Sequence, residues 1–208
     1  MNIYHKSNNN KDITLIFGGF ASHYSHFLPF FGENIVVVYG YNTLKGDNLV
    51  KLLQENNMQV NKVVAFSMGV WVFYMLYESL RDFVKNSTKV AVNGTGFGID
   101  RAYGINPNLF KAVYRNFDFQ SFVKNLFGRF RSEDFLFLEI SVLKDELLFF
   151  IKNKEAPKQY ISWDKVYISK DDSIFSSESQ VRFWEREGLL DRVVFIDSPH
   201  FAFFTLEI

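Results

Sequence analysis

KVVAFSMGVWVFYMLYESLRDF, residues 62–83, opens as a strand and closes as a helix. Lys62 to Phe66 is short, β-branched and continuously apolar, the pattern of a strand covered on both faces. The stretch after Ser67 has helical length and ends in charged residues. Between them Ala65-Phe66-Ser67-Met68-Gly69 matches the G-x-S-x-G nucleophile elbow, with Ala in place of the first Gly. Small residues two before and two after the serine let strand and helix approach closely while the serine takes a strained backbone position that aims its hydroxyl outward. Taken alone, the turn reads equally well as a helix start capped by Ser67.

Working outward, Ile13 to Phe17, Ile35 to Tyr39, Lys89 to Asn93, Val166 to Ser169 and Arg192 to Ile196 are further strand-like runs, most of them continuously apolar. This predicts an α/β fold with a largely parallel sheet whose strands are separated, at least in part, by helices. Ser176 to Glu187 is a predicted helix between the last two strands. From Asn93 to Lys158 no strand pattern is found, and Phe, Leu, Val and Ile recur at helical spacing from Leu109 to Ile151. A helical insertion over residues 101–156 is expected, between the NGTGFG turn and Ala156-Pro157, with residues 1–100 and 157–208 forming the core.

Composition narrows the functional classes. The 208 residues are 48% hydrophobic, enough for one substantial core. Lys+Arg and Asp+Glu both number 23, so the net field favours neither nucleic acid nor an anionic membrane, and a charged partner must meet a local patch. With no cysteine, thiolate catalysis, disulfides and cysteine-held zinc are excluded. The first residues, MNIYHKSNNNKD, show no signal-peptide pattern, and Val63 to Tyr77 falls short of the roughly 20 apolar residues of a membrane span. A soluble cytoplasmic protein without metal or cofactor is expected.

Acyl transfer by Ser67 needs a general base, and the histidines are His5, His23, His26 and His200. In the α/β-hydrolase fold the chain order is Ser, acid, His. Only His200 follows Ser67, on a loop four residues beyond a strand. His23 and His26 lie near the first loop, where pocket lining and surface placement are both open and surface placement is the reading taken. The acid belongs after the penultimate strand, where Asp171 and Asp172 compete; Asp172 is preferred because Ile174-Phe175 supplies the apolar pair that commonly follows the acid. Its task is to orient the imidazole and stabilise its protonated form. For the oxyanion, Met68 N–H at the helix start is one expected donor, and Phe20 N–H, in the Phe17-Gly18-Gly19-Phe20-Ala21 turn after the first central strand, is the second. Gly94-Thr95-Gly96-Phe97-Gly98 fails as a dinucleotide fingerprint, since Ile99 stands where the third glycine is needed.

Together, Phe17-Gly18-Gly19-Phe20, Ala65 to Val72, Asn93-Gly94-Thr95-Gly96 with Gly104-Ile105, Asp172 to Phe175 and His200 resemble the BioG-type pimeloyl-[acyl-carrier protein] methyl ester esterases of biotin synthesis. Phe20 and Ala21 stand where that family usually has Trp and Gly. The resemblance runs through most of the chain and implies an α/β-hydrolase with a helical lid over an apolar slot. It also implies hydrolysis of the methyl ester of a carrier-borne pimeloyl chain, releasing methanol by a Ser67–His200–Asp172 acyl-enzyme mechanism. An acidic carrier protein calls for a basic surface, and residues 101–131 hold Arg101, Lys111, Arg115, Lys124, Arg129 and Arg131 against one acid, Asp118. Lys111 and Arg115, spaced i,i+4, share a helix face. A general short-chain esterase or acyl thioesterase with the same three residues is the enzymatic rival, and a carrier-binding scaffold without turnover the non-enzymatic one.

Overall fold

The structure, a computed structural model, describes residues 1–8, 11–130 and 134–206. Among these, seven strands form one sheet: β1 (Asn2–Lys6), β2 (Asp12–Phe17), β3 (Ile35–Tyr39), β4 (Gln59–Phe66), β5 (Thr88–Val92), β6 (Lys165–Ser169) and β7 (Val193–Ile196). Their order is β1-β3-β2-β4-β5-β6-β7, with β1 antiparallel to β3 and every other pair parallel. The α/β class and the mostly parallel sheet expected from the apolar runs are what is found. β1 lacks such a run; its polar NIYHK segment instead takes up the backbone groups along the outer edge of β3.

Strand alternation divides the core into two layers. On β4, Val63 and Ala65 face one layer and Val64 and Phe66 the other, and all four are buried. The first layer is covered by α2 (Asp47–Glu55), α3 (Met68–Val84) and α7 (Ser177–Arg186), which bury Leu49 and Leu53, the Val70–Tyr74 face, and Phe183 with Trp184. Phe27, Phe201 and Phe203 cover the second, where ring centroids lie 4.9 to 6.0 Å apart. β7 departs from the two-sided burial expected of its apolar sequence. It is an edge strand, with Val194 and Phe195 exposed.

Between β5 and β6 the chain forms α4 (Pro107–Arg115), α5 (Phe119–Phe127) and α6 (Ile140–Lys152). Phe110 of α4 and Leu143, Leu147 and Phe150 of α6 join the first layer, while Leu126 and Phe127 of α5 join the second. No helix among the described residues is long and apolar enough to cross a membrane. After β2 the chain moves outward to β3 and then returns past β2 to β4, so the connections reverse direction between β2 and β4. Crevices at the carboxyl ends of strands beside such a reversal are where open α/β sheets bind ligands.

Candidate active site

Ser67 sits at that reversal, between β4 and α3, with φ 55° and ψ −124°. A helix-capping serine would hold an extended backbone and accept a bond from the first turn. Ser67 makes no such side-chain cap. Its Oγ lies 2.8 Å from His200 Nε2. The motif's second glycine is required by close approach: a Cβ on Gly69 would lie 2.2 Å from the Phe17 carbonyl oxygen and 2.5 Å from that of Gly18. Gly19 has the same constraint, since a Cβ there would meet Ser67 Cβ at 2.7 Å and Oγ at 3.2 Å. The Gly18–Ala21 turn thus lies directly against the serine.

His200 and Asp172 are brought in by the loops after β7 and β6. His200 is 2% exposed, and its Nδ1 lies 2.6 Å from Asp172 Oδ2. Asp172 Oδ1 accepts from the Ile174 and Phe175 backbone N–H groups at 2.9 and 2.8 Å. Those two bonds give a physical reason for the pair that follows the acid: the local turn immobilises one carboxylate oxygen and leaves the other for the imidazole. Asp171 is exposed. With Nδ1–H donating to Asp172, Nε2 is free to accept the Ser67 hydroxyl proton, the arrangement needed to generate a serine nucleophile.

These groups open into a cavity of about 410 Å³ walled by Phe20, Phe110, Phe117, Phe122, Leu126 and Leu147, with Ser67, Met68 and His200 at its floor. Asp118, Ser121 and Asn125 supply polar lining. Lys111, Arg115, Lys124 and Arg129 are exposed, and Arg131 lies outside the described residues. Leu109 and Val113 of α4 both line the cavity and reach solvent, so apolar side chains mark its mouth beside the Lys111 and Arg115 face.

His23 and His26 do not take the surface positions expected of them. His26 is fully buried among Phe127, Phe135, Phe137 and Phe201, donates from Nε2 to the Leu136 carbonyl at 2.6 Å, and is pushed down to about 3 by burial. His23 is 9% exposed, and burial lowers its pKa as well. Neither lines the main cavity. The missing sequence signal was aromatic: Phe127, Phe135, Phe137 and Phe201 are all distant from His26 in the chain, and only folding gathers them around its imidazole.

The BioG family model, described as pimeloyl-ACP methyl esterase, matches residues 1–206. The chain belongs to the BioG family. Like other members it has the α/β-hydrolase fold, and the family is one of hydrolases in biotin biosynthesis. The crystal structure of BioG from Haemophilus influenzae superposes with a TM-score of 0.79 at 22% identity, covering 98% of this chain and 95% of that one. A hydrolase from Oleispira antarctica follows the same fold, with a TM-score of 0.65 at 11% identity over 98% of this chain and 89% of that one. A Bacteroides fragilis protein named malonyl-[acyl-carrier protein] O-methyltransferase is 30% identical over 189 residues, 85% of this chain. This BioG-family chain spans only 37% of that relative's length.

Two buried residues at the site carried no assigned role in the sequence reading. Asn93, at φ 48°, donates from Nδ2 to Ser169 Oγ (2.8 Å) and to the His200 carbonyl (2.6 Å), and its Oδ1 accepts from Ser169 N–H (2.7 Å). It ties β5 to β6 and to the histidine loop. Glu146 on α6 is 2% exposed and accepts from Ala21 N–H (3.1 Å) and Tyr41 N–H (2.9 Å). Burial pushes its carboxyl up to about 7, against the opposing pull of those two N–H groups and the Met1 ammonium. A glutamate three residues after Leu143 and four before Phe150 lies on the helix's apolar face, and that placement was the available signal.

Proposed function

We propose that this chain is a serine esterase that hydrolyses the methyl ester of pimeloyl-[acyl-carrier protein], and that Ser67, His200 and Asp172 carry the reaction. The observation that supports this most is the unbroken series Ser67 Oγ–His200 Nε2 and Nδ1–Asp172 Oδ2 at 2.8 and 2.6 Å, at the floor of an apolar cavity. Ser67 attacks the ester carbonyl as His200 takes its proton. The Met68 and Phe20 N–H groups stabilise the oxyanion, the first aided by the start of α3. His200 returns the proton to the departing methoxide, giving methanol and an acyl-enzyme. Water activated by His200 then releases the free acid.

Residues 101–156 act as a lid, since α4, α5 and the 116–118 turn between them, with Leu147 of α6, provide most of the cavity wall. A linear acyl chain fits a phenylalanine-lined slot of this size, and the exposed Leu109 and Val113 suit the entry of an arm still attached to a carrier. Lys111, Arg115, Lys124 and Arg129, with Arg131 beyond the described residues, supply positive charge for an acidic carrier protein.

Two measurements test the proposal. A fluorophosphonate probe labels the folded wild-type protein and fails to label Ser67→Ala; absence of wild-type labelling would favour a binding scaffold. For the substrate, the Lys111→Glu/Arg115→Glu variant loses about tenfold in kcat/KM on the carrier-borne methyl ester, from one charge-pairing contact or more. Its activity on a free short-chain methyl ester stays within twofold. Equal activity on both substrates, unmoved by the charge reversal, points to the general esterase.

A further inference from the structure

We propose that Glu146 is a positioning residue that holds the Gly18–Ala21 turn, and with it the Phe20 N–H, in register with Ser67. This rests on the esterase reading above and adds a residue to it that never touches substrate. Glu146 is absent from the cavity wall, although its neighbour Leu147 is part of it.

The turn is gripped at both ends. Ala21, directly after Phe20, has φ 58°, a left-handed conformation that an alanine adopts only at a cost. Its N–H is held by Glu146 Oε2 at 3.1 Å. The second oxygen, Oε1, accepts from Tyr41 N–H at 2.9 Å, and the Tyr41 hydroxyl donates its one proton between the carbonyls of Gly18 at 2.9 Å and Val38 at 3.0 Å. One carboxylate thus fixes Ala21 directly and Gly18 through Tyr41, with Gly19 and Phe20 between them. Gly19 packs so closely on the serine that even a Cβ there would meet Ser67 Cβ at 2.7 Å.

The choice of residue fits this task. A carboxylate offers an acceptor at each oxygen, and both face a backbone N–H. Glutamine in the same place would accept one N–H and turn its own NH₂ toward the other. A purely apolar residue would pack with Leu143, Leu147 and Phe150 more cheaply, so burying an acid there is explained by what it binds. Because α6 lies among the helices between β5 and β6, seating those helices and placing the Phe20 N–H become one event.

The test compares wild type, Glu146→Gln and Tyr41→Phe on a soluble medium-chain p-nitrophenyl ester, with a trifluoromethyl ketone as a mimic of the tetrahedral state. Losing one oxyanion donor outright costs about 10²–10³ in kcat, so a displaced donor in Glu146→Gln is expected to cost about 10–100-fold. KM is expected to stay within about twofold, and ketone affinity to fall in parallel with kcat/KM. Tyr41→Phe is expected to show the same split at a smaller size, and it decides the matter should Glu146→Gln not fold. A folded Glu146→Gln with kcat within twofold of wild type overturns the proposal, as does an unfolded one paired with unchanged Tyr41→Phe. Wild-type protein without turnover or fluorophosphonate labelling instead removes the esterase reading itself.

Discussion

Replacing Asp172 by asparagine separates orientation of His200 from its packing. The bonds from Ile174 and Phe175 N–H to Oδ1 require that the amide oxygen stay on that side. Turning the amide around would forfeit both, at about 1–3 kcal/mol each for buried groups left unpaired. The NH₂ then faces His200 Nδ1 at the 2.6 Å position now held by Oδ2, where two donors cannot meet. The imidazole responds by moving its proton to Nε2, which becomes a donor toward Ser67 Oγ and can no longer take the serine proton. The imidazolium of the transition state also loses its counter-charge. In a Ser-His-Asp site the wrong tautomer costs roughly 10⁴ in kcat, about 5.5 kcal/mol at 1.36 kcal/mol per tenfold. The fold loses one charged hydrogen bond, about 2 kcal/mol, so the melting temperature falls by only about 4–8 °C for a chain of this size. Single-turnover release of p-nitrophenol measures the first quantity and a circular-dichroism melt the second. Asp171→Asn serves as the control and is expected to stay within twofold in kcat, since Asp171 is exposed. Asp172→Asn activity within tenfold of wild type, or an equal loss in Asp171→Asn, would refute the reasoning.

Asn93→Ala leaves the Ser169 N–H and the His200 carbonyl without their buried partner, and about 2–4 kcal/mol of stability is expected to go with them. That corresponds to roughly 4–16 °C in the melt; a shift under 2 °C would mean the amide is not holding the loop. Glu146, pushed from 4.5 up to about 7, makes the folded state bind more protons than the unfolded state between those values. Its contribution therefore declines by about 3 kcal/mol as pH rises through the window. His26, pushed from 6.5 down to about 3, acts with the opposite sign: its folded form binds fewer protons across that range, so stability rises with pH there. The two oppose each other between about pH 4.5 and 6.5, and only the difference between Glu146→Gln and wild type isolates the first. That difference is expected to move in favour of the variant between pH 4.5 and 7.5, by denaturant unfolding; a gap constant to within about 1 kcal/mol would show that Glu146 does not titrate there.

Local sequence alone determined the strand, sharp turn and helix around Ser67, five further strands from β2 to β7, and the helical spacing of apolar residues from Leu109 to Ile151. Each rests on periodicity or on close packing of neighbours along the chain, which a linear reading can see. The chain order also singled out His200, because no other histidine follows Ser67. The spacing of Ile174 and Phe175 favoured Asp172 for a reason that is itself local, the two N–H bonds to Oδ1. Everything set by pairing of distant segments was decided by the tertiary structure. β1 exists because β3 has an edge to satisfy, and β7 is half exposed because nothing follows it in the sheet. His26 is neutral and buried because rings from residues 127, 135, 137 and 201 converge on it. Glu146 reaches Ala21 across 125 residues of chain and Tyr41 across 105. A buried charge is tolerated only where folding delivers its partners, and no periodicity along the chain records where those partners are.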